Sequence, residues 1–171
     1  MATREVTGTE IRDALSRWNE TKDILAARFE RSLFRFETDP VGAKCPEDLA
    51  TELEAAERAA VLLGAMQDAY NVSVRLPDGS ALAVGIKLVG ALGRMRLAWK
   101  KALRGPKEAR YERPSRSVRD RDALPAQPAF DVDKAQVALR ALTRKIQELQ
   151  RQIGRANETK VTMEVREGLL D

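Results

Sequence analysis

The sequence has no histidine, a single cysteine and aromatic residues at only 5% of its 171 positions. Without histidine there is no Cys–His nucleophile, no imidazole general base, no histidine-ligated zinc and no haem held through histidine. One cysteine, Cys45, excludes an intrachain disulfide and fits a reducing compartment. Cys45 stands beside Pro46 at a predicted helix start, where a helix N-terminus lowers a thiol pKa. Long hydrophobic runs are also missing. No apolar stretch reaches the roughly 20 residues that span a bilayer, and Met1–Glu5 is polar, without the apolar core of a signal peptide. The expectation is a cytoplasmic protein that does not insert into membranes.

What is present is charge and aliphatic surface. Charged residues make up 33% and hydrophobic ones 43%, a balance of long helices and coiled-coil-like packing. The net charge is +4, but it is unevenly placed. From Arg94 to Arg121 there are 11 Lys/Arg against three acids, so that segment carries +8 and the remainder −4. Such a segment marks either an anionic partner or a face that neutralises the acidic body of a neighbouring subunit.

Four helices follow from periodicity. Residues 9–32 form the first, capped by Thr7 or Thr9, with Ile11, Leu15, Trp18, Leu25 and Phe29 on one face. Pro46-Glu47-Asp48 opens the second, where Leu49, Leu53, Ala56, Ala60, Leu63 and Tyr70 keep a heptad spacing and Asn71 closes it in a left-handed conformation. Ser80 caps the third. From Ala81 to Leu92 its apolar residues lie nearly all round, as in a helix buried on most sides. Gly85, Gly90 and Gly93 there imply close helix–helix contact, and Gly105-Pro106 ends the helix. Asp131 caps the fourth, whose Leu139, Leu142, Ile146, Leu149 and Ile153 belong to an unbroken 3-4 stripe suited to helix packing and oligomer contacts. Short alternating segments at 34–37, 72–76 and 161–165 read as strands, the last pairing with one of the other two. Residues 106–130 hold four prolines and no sustained period, a basic loop.

No motif carries catalysis. The three glycines lack the spacing and the Lys-Ser/Thr of a phosphate loop, and no carboxylate cluster has a metal or acid/base spacing. No metal site, cofactor or enzymatic activity is therefore expected. Anion or nucleic-acid binding falls to Lys100, Lys101, Arg104, Lys107, Arg110, Arg113, Arg116, Arg119 and Arg121, with Tyr111 the only aromatic residue in the run from Arg104 to Arg119. Asn19-Glu20-Thr21-Lys22 recurs as Asn157-Glu158-Thr159-Lys160; the second copy, like Asn71, reads as a helix exit into a strand.

The order of these parts resembles the septicolysin-like family, largely uncharacterised bacterial helical proteins. The resemblance rests on the helix Ile11–Phe29, on Pro46-Glu47-Asp48-Leu49 leading to Asn71 and Val74-Arg75-Leu76, on the Asp78-Gly79 turn, on Arg110-Tyr111, and on Ile153-Gly154-Arg155-Ala156-Asn157. It implies an oligomeric helical protein, and the family name suggests pore formation. The reading is a single mainly α domain over residues 1–171, two long antiparallel helical hairpins with short β segments at one end. Its expected role is that of a non-enzymatic homo-oligomeric structural or interaction protein. Anionic-ligand or non-specific nucleic-acid binding through residues 94–121 is the alternative, and a membrane-active pore-forming effector the second.

Overall fold

The computed structural model describes residues 2–34, 45–104 and 130–170. Among these residues the fold is mainly α, with four long helices and one two-stranded antiparallel sheet: β1 (Ala2–Val6), α1 (Gly8–Ser32), α2 (Pro46–Ser73), α3 (Leu82–Leu103), α4 (Val132–Ala156) and β2 (Val161–Val165). The chain divides into two compact units, Met1–Ala83 with Ile153–Asp171, and Val84–Gln152.

The starts of α1, α2 and α4 each have a chemical cause. The Thr7 hydroxyl accepts the Glu10 N–H at 3.2 Å, and the Glu10 carboxylate accepts the Thr7 N–H at 2.7 Å, a reciprocal cap that satisfies two otherwise orphan donors. At α2, Cys45 occupies the cap position without a side-chain bond; Pro46 and the first-turn acids Glu47 and Asp48 supply the start instead. At α4 the Asp131 carboxylate accepts the Lys134 N–H at 3.0 Å. Ser80 does not cap α3: its hydroxyl and N–H both donate to Asp78 in the turn before the helix.

The caps make stability acid-sensitive. The Thr7 backbone N–H, followed by its hydroxyl and Arg4, holds Glu10 below the ordinary carboxylate range, and the Lys134 backbone N–H does the same for Asp131. A carboxylate whose folded pKa is depressed stabilises the fold above its unfolded value, about 4, and loses that contribution as pH falls through the folded value. Thermal midpoints followed by circular dichroism should therefore be level from pH 7 to about 5 and fall below about pH 4. Thr7→Ala should cost about 1 kcal/mol at pH 7.

Within the first unit α1 and α2 run antiparallel. Leu25, Leu49 and Ala56 form a buried cluster flanked by Trp18, Phe29 and Leu53, and Lys22 reaches Glu57 at 3.8 Å. The α2 heptad points inward as its spacing requires: Leu49, Ala56, Ala60, Leu63 and Tyr70 are buried. At the other end of this hairpin Tyr70 is fully buried, and its hydroxyl lies 2.9 Å from the Ala156 carbonyl and 2.8 Å from that of Thr159. Burial, and then the charge of Glu158, push the phenol pKa up against the opposing pull of the Gly8 N–H. Gly8 is a steric requirement here. A Cβ on it would lie 2.5 Å from the Tyr70 ring and 2.6 Å from Asn157 Oδ1.

The segment after α4 is stitched along α1. Thr9 N–H donates to the Asn157 carbonyl (3.3 Å) and its hydroxyl to Glu158 (2.7 Å); further along, the Trp18 indole N–H donates to the Leu169 carbonyl (3.1 Å) and Arg17 to that of Leu170 (2.7 Å). β2 is a strand as its alternation implies, but its partner is β1, with Ala2 opposite Val165 and Val6 opposite Val161. Among the described residues the 72–76 segment does not supply that partner. Residues 72–73 end α2, leaving a single bridge between Arg75 and Ala81, and residues 35–37 lie outside the described residues. Asn71 sits inside α2, accepting from Gln67, so it closes nothing; Asn157 does precede the exit to β2.

In the second unit the Trp99 and Phe130 rings meet edge to face at 5.9 Å, bringing the last turns of α3 to the start of α4. On α4, Ala135, Ile146 and Leu149 are buried and Leu139 and Leu142 half-buried; Ile153, beyond the boundary of this unit, continues the stripe half-buried. The expectation that α3 is buried on most sides fails. Only the stripe Leu82, Gly85, Val89, Leu92, Arg96, Trp99 and Leu103 is inward, while Val84, Ile86, Leu88, Met95 and Leu97 are exposed. Nor do its later glycines admit a neighbouring helix. Among the described residues a Cβ at Gly93 meets nothing within 4 Å, and one at Gly90 meets only the Arg94 side chain.

Candidate interaction surfaces

α2 is unusual in having two apolar faces. Opposite the buried heptad run Val61, Ala65, Asp68 and Val72, spaced 4-3-4 and all exposed, Val61 at 69% and Val72 at 60%. The helix carries six acids (Glu47, Asp48, Glu52, Glu54, Glu57, Asp68) against Arg58 alone. Two charged, apolar-striped faces on one helix exceed what a single hairpin needs to bury.

α3 has the complementary character. Val84, Leu88, Ala91 and Met95 repeat the 4-3-4 spacing on a flank beside the buried stripe, with Val84 and Met95 more than half exposed. Next to that flank Lys87, Arg94 and Lys101 recur every seven residues along one exposed ridge. The helix contains five cations and no acid. Net charge follows the same division. Residues 84–152 hold 17 Lys/Arg against 7 Asp/Glu, a net of +10, which leaves −6 on the other unit.

The expected anion-binding residues are only partly described. Lys100, Lys101 and Arg104 are exposed at the end of α3; Lys107, Arg110, Arg113, Arg116, Arg119 and Arg121 lie outside the described residues. The α4 stripe predicted for packing faces inward rather than outward. The outward stripes on α2 and α3 are visible in the sequence only after the buried set has been assigned.

The first unit also holds an open cleft of about 430 Å³ among Trp18, Glu54, Arg58, Leu62, Arg166 and Leu169. Several of its polar groups are already paired: Glu54 with Arg58, the indole N–H with the Leu169 carbonyl, and the Thr51 hydroxyl with the Glu47 carbonyl. Cys45 is exposed and free, but its thiol pKa is raised, not lowered as its helix-start position implied. Asp48 is the main cause, with Glu47 adding to it, and these first-turn acids outweigh the helix terminus. Among the described residues no helix is long and apolar enough to cross a membrane, and no group of three or more Cys, Asp or Glu side chains is placed to hold a metal ion. No protein-family model, curated protein or solved structure matches the chain.

Proposed function

We propose that this is a non-enzymatic helical protein that assembles with copies of itself, the α2 outer stripe of one copy packing on the α3 flank of the next. One observation carries the reading: two exposed stripes of equal spacing and length lie on helices of opposite charge. Each spans 12 residues, about 17 Å of helix from first to last. The apolar positions supply burial at roughly 25 cal/mol per Å², while Asp68 and the other α2 acids face the Lys87–Arg94 ridge and set orientation. An α3–α3 contact would oppose cations to cations, so α3 pairs with α2; two copies that engage each other through both faces close as a two-fold dimer, and otherwise repetition gives a ring or a filament.

Light scattering at tens of micromolar should give a multiple of the 19.0 kDa chain mass; a single-chain mass would overturn the reading. Asp68→Lys alone, and Lys87→Glu/Arg94→Glu alone, should each weaken assembly at least ten-fold, about 1.4 kcal/mol. Mixed in equal amounts, the two variants should recover it, because each then offers the other an opposite charge. Failure to recover in the mixture would mean that these faces do not meet.

A further inference from the structure

We infer that the basic end of α3 binds the phosphate backbone of nucleic acid without reading its sequence. The contact centres on Lys100, Lys101 and Arg104, beyond the Val84–Met95 flank, and shares only Arg94 with the ridge proposed to meet α2.

The starting point is how unevenly the helices balance their charge. α1 sets five acids against five cations, and α2 is strongly acidic. α3 has cations only, and they gather toward its end: Arg94, Lys100, Lys101 and, just past the last turn, Arg104, all exposed. A helix C-terminus is well served by one or two cations. Four, with no acid in the helix and a unit at +10, produce a positive field that attracts polyanions. Arg94 and Lys101 share one exposed ridge, while Lys100 and Arg104 broaden the patch toward the other flank.

Nucleic acid is favoured over an anionic membrane by the order of the faces. A helix lying in a membrane presents a continuous apolar face with cations at its margins. On α3 the outward pole is the cation ridge itself, and the apolar residues stand to either side of it. That geometry holds the charges foremost, which suits phosphate and impedes insertion. Direct base reading needs side chains delivered into a groove or aromatic stacking surfaces; Trp99, the aromatic residue of α3, is turned inward against Phe130.

The test uses fluorescence anisotropy with a labelled 30-base-pair duplex of random sequence. Four phosphate contacts predict a log–log salt slope of about −3.6, or about a hundred-fold weaker binding at 200 mM than at 50 mM salt. Lys100→Gln/Lys101→Gln/Arg104→Gln should lower the magnitude of the slope by about 3. The change should be equal for unrelated sequences, with the light-scattering mass unaltered because the Val84–Met95 flank is untouched. If the triple variant unfolds by circular dichroism, Lys101→Gln alone should lower the slope magnitude by about one. Absence of binding at 50 mM salt, or a slope unchanged in a folded variant, overturns the inference. So does tighter binding to vesicles of phosphatidylcholine with 30% phosphatidylserine than to the duplex. Loss of assembly with duplex binding intact would instead strike only the self-association reading.

Discussion

Tyr70→Ala should lower the stability of the first unit by about 3–5 kcal/mol, with a fall in thermal midpoint of about 10–15 °C by circular dichroism. Tyr70 is the largest fully buried side chain, and its removal deletes both packing and a polar junction. Its hydroxyl serves two carbonyls, at Ala156 and Thr159, and lies against the Gly8 N–H. Tyr70→Phe keeps the ring and strips only the hydroxyl. It should cost about 1–3 kcal/mol, since the groups left behind are shielded from water. The difference between the variants apportions the effect between packing and hydrogen bonding. Val61→Ala on the outer face of the same helix should stay within about 0.5 kcal/mol in the unassembled chain. A loss in Tyr70→Ala no larger than that would show that α2 and the segment after α4 hold together by other means.

Two glycine-to-alanine substitutions should move stability in opposite directions. Gly8→Ala drives a methyl group into the Tyr70 ring and the Asn157 side chain, at separations that no real Cβ tolerates. The tyrosine is packed and the asparagine sits at the α4 exit, so neither yields freely, and the expected loss is about 1–3 kcal/mol. Gly93→Ala meets open space in the interior of α3. It should gain about 0.4–1 kcal/mol, because alanine loses less chain entropy than glycine on entering a helix. Chemical denaturation of the two variants beside the parent reads both signs at once. A gain at Gly8, or a loss at Gly93, would show that the local packing differs from that described.

These glycines also show where sequence periodicity runs out. The α2 and α4 heptads were legible because their inward residues repeat at the helix period, and periodicity is a local property. The need for Gly8 is not local. It arises from Tyr70, far along the chain, and from Asn157 near its other end. The β1 strand was hidden for the same reason. Ala2–Val6 is short and mostly exposed, and becomes a strand only because Val161–Val165 lies beside it. On α3, hydrophobicity and burial part company. Apolar residues all round imply a helix covered all round, yet Val84, Ile86 and Leu88 stand in solvent. The uncovered residues Val84, Leu88 and Met95 form the flank that we propose for self-association. At Cys45 the general influence of a helix start was legible, but the local weight of Asp48 reversed the sign.

The β1–β2 register also has a mechanical consequence. Ala2 pairs with Val165 and Val6 with Val161, so the outer ends of both strands lie at the same end of the ladder. Tension applied at those ends loads one pair at a time, from Ala2 and Val165 inward, instead of shearing every hydrogen bond together. The ribbon should peel at low force. Resistance should rise once the pull reaches Val6 and the interlocked Gly8, Tyr70 and Asn157. A chain drawn out in this way would yield in two steps, a soft opening of the ribbon followed by abrupt release of the helices behind it.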